Sequence, residues 1–184
     1  GGGHMPKKKD ILFVDGYNMI GAWPHLASLM KKDELALARD TLLQELSNFK
    51  KVRGYDEIFV IFDAYLVPGM TQRYDEYDLQ VVFTKEGETA DSYIEREVNQ
   101  YITPLNRVVV ATSDYAEQWL IFQRGALRQS ANELAVEISY TKQQLKTEIS
   151  TYYNGMLRRR SPWQIEQLAD LDRLRRELET KNKE

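Results

Sequence analysis

The apolar run ILFV at residues 11–14 is the feature that most constrains the fold of this chain. Four apolar residues in succession, with β-branched and aromatic members, favour a strand that is buried on both faces, as in a parallel sheet. Asp15 follows the run directly, and ligands of open α/β sheets bind beyond the carboxyl ends of the strands. Asp15 is therefore a candidate site residue. An Asp that only hydrogen-bonds its own turn is an equally good interpretation of this residue alone.

The arrangement of an apolar run followed by an acid returns along the chain. It returns twice, at residues 58–62 with Asp63 and at residues 108–111 near Asp114. After a short strand at 81–84, Asp91 stands in the first turn of a helix that is predicted to begin near Thr89. Asp91 falls at helical spacing with Glu88 and Glu95, which is also typical of a solvated helix face. Asp114 precedes Glu117 by three residues, which is also the spacing of a helix capping box.

The order of the elements predicts where these acids lie. Strands that alternate with helices indicate right-handed crossovers and a mainly parallel sheet, so the acids that follow the strands should converge at one edge. They are Asp15, Asp63, Asp91 and Asp114. Several carboxylates at close quarters cannot all stay ionised without a counter-cation, and oxygen ligands suit Mg²⁺ or Mn²⁺. The pattern therefore predicts metal-dependent phosphoryl chemistry, while the substrate does not follow from the acids alone.

Composition excludes several other kinds of site. The 184 residues carry a formal net charge of -3, so nucleic-acid binding would need local basic patches. Cysteine is absent, which excludes disulfides, zinc–thiolate sites and cysteine nucleophiles. Residues 1–5 read as a cloning scar, which leaves His25 as the one native histidine and argues against a Ser-His-Asp triad. We expect neither a membrane span nor a signal peptide.

Helices are predicted between the strands and throughout the C-terminal part. Between the strands we predict a loop at residues 19–30 and a long loop at 64–78. We also predict a helix from Asp33 to about residue 52, which Gly54 ends, and further helices that begin near Thr89 and cover 115–124. From Ser130 onward two amphipathic helices are expected, with an interruption around Asn154 and Gly155. We expect one α/β domain at residues 6–129. The helical extension at 130–184 either folds on that domain or meets a partner.

Aromatic residues near these motifs have two interpretations. Trp23, Tyr74 and Tyr77 could stack on nucleic-acid bases. The more ordinary roles are to cover the sheet edge, for Trp23, and to pack half-buried in a loop, for the two tyrosines.

Five stretches of the chain form a specific combination. They are VDGYNMIG at residues 14–21, FDA at 62–64, FTKEGETAD at 83–91, ATSDYAEQW at 111–119 and GALRQSANEL at 125–134. In this order they resemble the YacP-like branch of the NYN domains, within the PIN-like nuclease superfamily. The resemblance implies an α/β fold, namely a PIN-like three-layer α/β/α sandwich with a mainly parallel central sheet. It also implies a divalent-metal-dependent endoribonuclease.

The resemblance assigns roles to individual residues. Asp15, Asp91 and Asp114 carry over as the acids that hold Mg²⁺ or Mn²⁺. Asp63 matches a second strand-end acid, and Asn18 matches the motif Asn that would orient a metal ligand or a phosphate, so both join the catalytic candidates. Members of this branch are bacterial, cytoplasmic and associated with cleavage of mRNA engaged on the ribosome. Hydrolysis is expected to leave 5′-phosphate and 3′-hydroxyl ends, because no suitable histidine or cysteine supports a cyclic-phosphate route.

Local basic residues are the candidates for RNA contacts. They are Lys85, Arg124, Arg128 and the run Arg158, Arg159 and Arg160. Such side chains can bind phosphates or ribosomal RNA. For the arginine run, a solvated helix end that the helix dipole favours is an equally good interpretation.

Other functions remain as alternatives on a sheet of this kind, since fold alone does not define function. A haloacid dehalogenase-type phosphatase needs a second Asp two residues after the first, where Tyr17 stands. A response-regulator receiver needs an acid pair and a late strand-end Lys, and neither is apparent. A non-catalytic RNA- or ribosome-binding module is a further alternative, against which the full set of acids argues.

Overall fold

The computed structural model describes residues 8–64, 74, 76–113, 119–158 and 165–183. Its centre is a five-stranded sheet in the order β3-β2-β1-β4-β5. The strands are β1 Lys9–Asp15, β2 Glu57–Phe62, β3 Gln80–Phe83, β4 Asn106–Thr112 and β5 Leu127–Ser130. Every neighbouring pair is parallel, so all five carboxyl ends open on the same edge, as predicted.

Strand β1 occupies the middle of the sheet because its residues are apolar on both faces. Residues 11–14 are all buried. On one face, Ile11 and Phe13 join a core that includes Ile94. Leu12 and Val14 point to the opposite face because side chains alternate along a strand. This confirms the doubly covered strand predicted from the sequence.

Helices cover both faces of the sheet. The helices of the described chain are α1 Gly16–Ala22, α2 Pro24–Lys31, α3 Leu35–Arg53, α4 Ala90–Glu97, α5 Leu120–Gln123, α6 Ala131–Arg158 and α7 Ile165–Lys183, with a 3₁₀ turn at Val98–Tyr101. Helix α4 packs on the face of Ile11 and Phe13, whereas α1 and α3 pack on the other side. The predicted three-layer α/β/α arrangement is therefore confirmed. In the described parts of the chain, none of the helices combines the length and the apolar character needed to cross a membrane.

The loop predicted at residues 19–30 is wrong, because this segment forms most of α1 and α2. Met19, Ile20 and Leu26 are fully buried, and Pro24 begins α2, where its missing N–H costs nothing. The indole Nε1 of Trp23 donates to the carbonyl oxygen of Ala131 at 2.9 Å. Burial of these side chains in the tertiary structure stabilises both helices. The sequence did not predict them, because residues typical of turns, such as Pro24, stand in this segment.

Other boundaries also differ from the prediction. Asp33 is not the N-cap of α3, since its φ is 60° and Glu34 precedes the helix. Gly54 ends α3 in the left-handed conformation, as predicted. Helix α5 is shorter than the helix expected over 115–124, whose residues 115–118 lie outside the described part. Strand β5 was not predicted, because its sequence LRQS has no apolar run and pairing with β4 defines it.

The chain divides into two compact units, residues 1–136 and 137–184. The first unit holds the sheet. In the second unit the end of α6 is continuous through Asn154 and Gly155, where an interruption was predicted. There the Arg175 guanidinium lies 5.7 Å from the Tyr153 ring centroid. The domain boundary inferred from the sequence, between residues 129 and 130, stays a prediction.

The close approach of α1 to β2 can be tested at Gly16. A Cβ on Gly16 would lie 2.3 Å from Cε1 of Phe62, a fully buried ring that packs between Tyr17 and Phe83. We expect Gly16→Ala to lower the free energy of unfolding by about 1–3 kcal/mol, the usual cost of overpacking, in urea denaturation followed by circular dichroism. Gly21→Ala is the matched control, because nothing lies within 4 Å of that Cβ position. Equal losses in both variants would contradict this packing argument.

Candidate active site

Asp15 is the last residue of the central strand and lies at the carboxyl edge of the sheet. It is 8% exposed and precedes α1 directly, in an extended conformation. The hydroxyl of Thr112, at the end of neighbouring β4, donates to Asp15 Oδ2 at 3.4 Å. The position of Asp15 is thus set by β1, which carries it, and by the neighbouring strand β4.

The carboxyl group of Asp15 lies beside that of Asp91. Its pKa rises from the ordinary value of 3.8 to about 7, first because burial disfavours the charged form. The neighbouring Asp91 and the charge of Asp63 raise the pKa further, and the backbone N–H of Asn18 lowers it. Burial and the neighbouring acids therefore favour the protonated form of Asp15 up to near-neutral pH.

Asp91 and Asp63 approach Asp15 from different elements. Asp91 stands in the first turn of α4, one residue after Ala90. Asp63 follows the last residue of β2, and its Oδ1 accepts the backbone N–H of Ala90. Burial, and to a smaller extent the charge of Asp91, raise the pKa of Asp63, while the Ala90 N–H opposes them. The predicted convergence of Asp15, Asp63 and Asp91 is therefore observed.

Asn18 lies in the first turn of α1, three residues after Asp15. Its Oδ1 is buried and accepts no hydrogen bond from the described residues. A buried amide oxygen without a donor carries a desolvation cost. A cation or a donor group of a ligand would relieve that cost. This is consistent with the role that the resemblance implies for Asn18.

A buried arginine on α3 joins α1 to Tyr74. Arg39 Nη1 donates to the hydroxyl of Tyr17 at 3.2 Å, and Nε donates to the hydroxyl of Tyr74 at 3.4 Å. Burial raises the pKa of Tyr17, against the opposing effect of the Arg39 charge. The sequence analysis did not identify Arg39, because an arginine at this position of a helix resembles an ordinary surface residue. It did not identify Thr112 either, because only the register of β4 with β1 brings this residue beside Asp15.

The donor set fits a hard divalent cation in kind. Asp15 and Asp91 supply carboxylate oxygens and Asn18 an orphaned amide oxygen, the ligand types that Mg²⁺ and Mn²⁺ prefer. Within the described ranges, no three His, Cys, Asp or Glu side chains are arranged to hold a metal ion. Asp114, the third predicted metal ligand, lies outside the described residues.

Among the predicted RNA-contacting cations, Lys85, Arg124 and Arg128 lie on different elements of the first unit. Lys85 is exposed in the turn between β3 and α4. Arg124 Nη1 donates to Asn99 Oδ1 at 2.6 Å. Asn99 follows Asp91 by eight residues, which corresponds to roughly 12 Å along the helix direction. Arg128 is partly buried in β5. Arg158 is the last residue of α6, with its side chain not described, and Arg159 and Arg160 lie outside the described residues.

Two of the three candidate stacking aromatics have packing roles. Trp23 is 4% exposed and Tyr74 is 6% exposed, so neither presents a face on which a base could stack. The Tyr74 ring packs 5.7 Å from Phe83. Packing, rather than base stacking, is therefore what these two side chains do, and Tyr74 is more deeply buried than the half-buried position predicted for it. Likewise His25 pairs with Glu45 at 2.9 Å, between α2 and α3.

Comparisons with known proteins show the family to which the chain belongs. The family described as "YacP-like NYN domain" matches residues 12–176. The chain is 44% identical over 140 residues to "Uncharacterized protein YacP" of Bacillus subtilis (strain 168), covering 76% of this chain and 81% of that protein.

Two crystal structures of Rae1 (YacP) from Bacillus subtilis share the fold, each with a TM-score of 0.68. One of them, the structure of a point mutant, is 37% identical, and the match covers 90% of this chain and 99% of that one. The other structure is 39% identical, with coverage of 91% and 95%. The chain therefore belongs to the YacP-like NYN domain family, a family of nuclease-like domains.

Proposed function

We propose that the protein is a divalent-metal-dependent endoribonuclease that hydrolyses RNA phosphodiester bonds. The observation that supports this most is the contact of buried Asp15 with Asp91. Two like charges in a poorly solvated place are unfavourable together, and a bound cation would let both ionise. When bound, Mg²⁺ or Mn²⁺ would supply an activated water and neutralise charge on the phosphate.

The residues of the chain have distinct tasks in this proposal. Asp15 and Asp91 bind the ion, and Asp114 is the third acid on the strength of the family resemblance. Asn18 orients a metal ligand through its buried Oδ1, which can accept a hydrogen bond from a bound water, or orients a phosphate oxygen through its amide N–H. Products with 5′-phosphate and 3′-hydroxyl ends are expected, because the site offers carboxylates and no histidine or cysteine among its described side chains.

The substrate class rests on the family rather than on the geometry. Membership in a nuclease-like domain family supports RNA as the substrate. We further propose mRNA engaged on the ribosome, in the bacterial cytoplasm, as the resemblance of the sequence implies. Lys85, exposed close to Asp91 in the chain, is the described cation best placed to contact the RNA backbone.

Substitution of the paired acids tests the activity. We expect Asp15→Asn and Asp91→Asn each to reduce Mg²⁺-dependent cleavage of 5′-labelled mRNA by more than about 100-fold, because even loss of an outer-shell partner costs roughly 10- to 100-fold. The measurement compares cleavage with and without translating ribosomes, and with EDTA. Glu86→Gln is the matched control, since Glu86 is an exposed acid in the turn before α4. Equal behaviour of parent and both Asn variants would favour the non-catalytic binding module, and release of phosphate from monoesters alone would favour a phosphatase.

The pH dependence of metal binding follows from the raised pKa of Asp15. A carboxyl group must be ionised to bind a cation, and the pKa of Asp15 is about 7 in the metal-free protein. We expect the association constant for Mg²⁺, measured by calorimetric titration, to rise about tenfold per pH unit below that pKa and to level off above it. An affinity that does not change across this range would show that Asp15 is not a ligand.

The same pKa predicts how the stability of the metal-free protein changes with pH. Between 3.8 and about 7 the folded state keeps a proton on Asp15 that the unfolded state has released. The contribution of Asp15 to the free energy of unfolding is therefore largest below the unfolded pKa and falls as pH rises through the folded pKa. Asp15→Asn should be more stable than the parent above neutral pH, by roughly 1–4 kcal/mol, in thermal or urea unfolding with EDTA present. A stability difference that is the same at acidic and alkaline pH would contradict this assignment.

A further inference from the structure

The position of Asp91 depends on where helix α4 begins. Helix α4 comprises only the eight residues Ala90–Glu97, and a helix this short has little stability of its own. Its first turn is held within the chain by Thr89, whose side chain accepts the backbone N–H of Ser92 at 3.2 Å. This cap stabilises the turn but does not attach it to the sheet, so the attachment must come from other residues.

Asp63 supplies one such attachment. Its Oδ1 accepts the backbone N–H of Ala90, the residue directly before Asp91. A carboxylate at the first turn of a helix also interacts favourably with the helix dipole. Ala90 is 2% exposed and packs in the core with Phe13 and Ile94, so the hydrogen bond joins a fixed strand end to a fixed helix start.

Thr84 supplies a second attachment in the same place. Its hydroxyl accepts the backbone N–H of Ala64 at 3.1 Å and donates to the carbonyl oxygen of Glu88 at 2.7 Å. Its backbone N–H also donates to the carbonyl oxygen of Phe62 at 3.0 Å. The end of β2 is therefore joined twice to the turn that leads into α4, on either side of Asp63.

These contacts give Asp63 a different task from the other acids. We propose that Asp63 is a positioning residue, which fastens the start of α4 to the end of β2 through Ala90 and so sets Asp91 against Asp15. This inference rests on the proposed function for its significance, since the paired acids are the proposed metal ligands. The proposal assigns Asp63 no direct bond to the ion, and the Asp63→Asn variant below tests this.

Two substitutions separate positioning from ligation. Asp63→Asn keeps an oxygen that can accept the Ala90 N–H but removes the charge, whereas Asp63→Ala removes the acceptor. We expect Asp63→Asn to bind Mg²⁺ with an affinity within about tenfold of that of the parent. The affinity of Asp63→Ala for Mg²⁺ should fall by about 10- to 100-fold, as it does when other outer-shell partners of a metal are removed. Asp91→Asn is the reference for loss of a ligand. An Asp63→Asn affinity as low as that of Asp91→Asn would overturn the proposal, even if Asp63→Ala does not fold.

A second readout needs neither metal nor RNA. Hydrogen exchange of the Ala90 amide, followed by NMR in EDTA, should be unchanged within about threefold in Asp63→Asn and at least about tenfold faster in Asp63→Ala, since protection reports local opening. Unchanged exchange in Asp63→Ala would show that the hydrogen bond does not hold the helix, which would overturn the proposal. If the parent protein cleaves no RNA, the proposed function fails, whereas the exchange data still decide the role of Asp63.

Discussion

The pairing of two carboxyl groups at a sheet edge that excludes most water is the interaction on which the site depends. Asp15 is 8% exposed and lies beside Asp91. A buried carboxylate would ordinarily be compensated by a cationic partner. Here a second acid faces it instead, so either a proton or a cation must occupy the gap. That requirement is the physical basis of the proposed metal site, and burial beside other acids also raises the pKa of Asp15.

The rest of the first unit maintains this unfavourable pair. Strand β1 is packed on both faces, so Asp15 cannot move away from the carboxyl edge. Helix α1 begins at Gly16 against the ring of Phe62, which leaves room for no side chain there. Arg39, on α3, donates a hydrogen bond to the hydroxyl of Tyr17 on α1. Apolar packing and hydrogen bonding of the neighbours thus supply the free energy that holds the like charges together.

The elements that the sequence predicts best are those with purely local signals. Strands β1, β2 and β4 are continuous apolar runs, and Gly54 and Thr89 mark helix ends by their own backbone or side-chain chemistry. The convergence of the strand-end acids follows, because parallel strands share one carboxyl edge. In contrast, α1 and α2 are stabilised by buried contacts such as that of Trp23 with Ala131, which are 108 residues apart in sequence. Strand β5 similarly exists through its pairing with β4.

The sequence by itself determined the parallel α/β architecture, the strand ends at which acids stand, and the family to which the chain belongs. These properties depend on periodicity and residue type, which are local. Only the tertiary structure decided that Asp15 lies buried beside Asp91, that Asp63 accepts the backbone N–H of Ala90, and that Tyr74 is buried. The physical reason is that side-chain direction, burial and hydrogen-bond partners are set by packing between elements distant in sequence. The same residue types occur equally on solvated surfaces, where their charges would be screened and their pKa values ordinary.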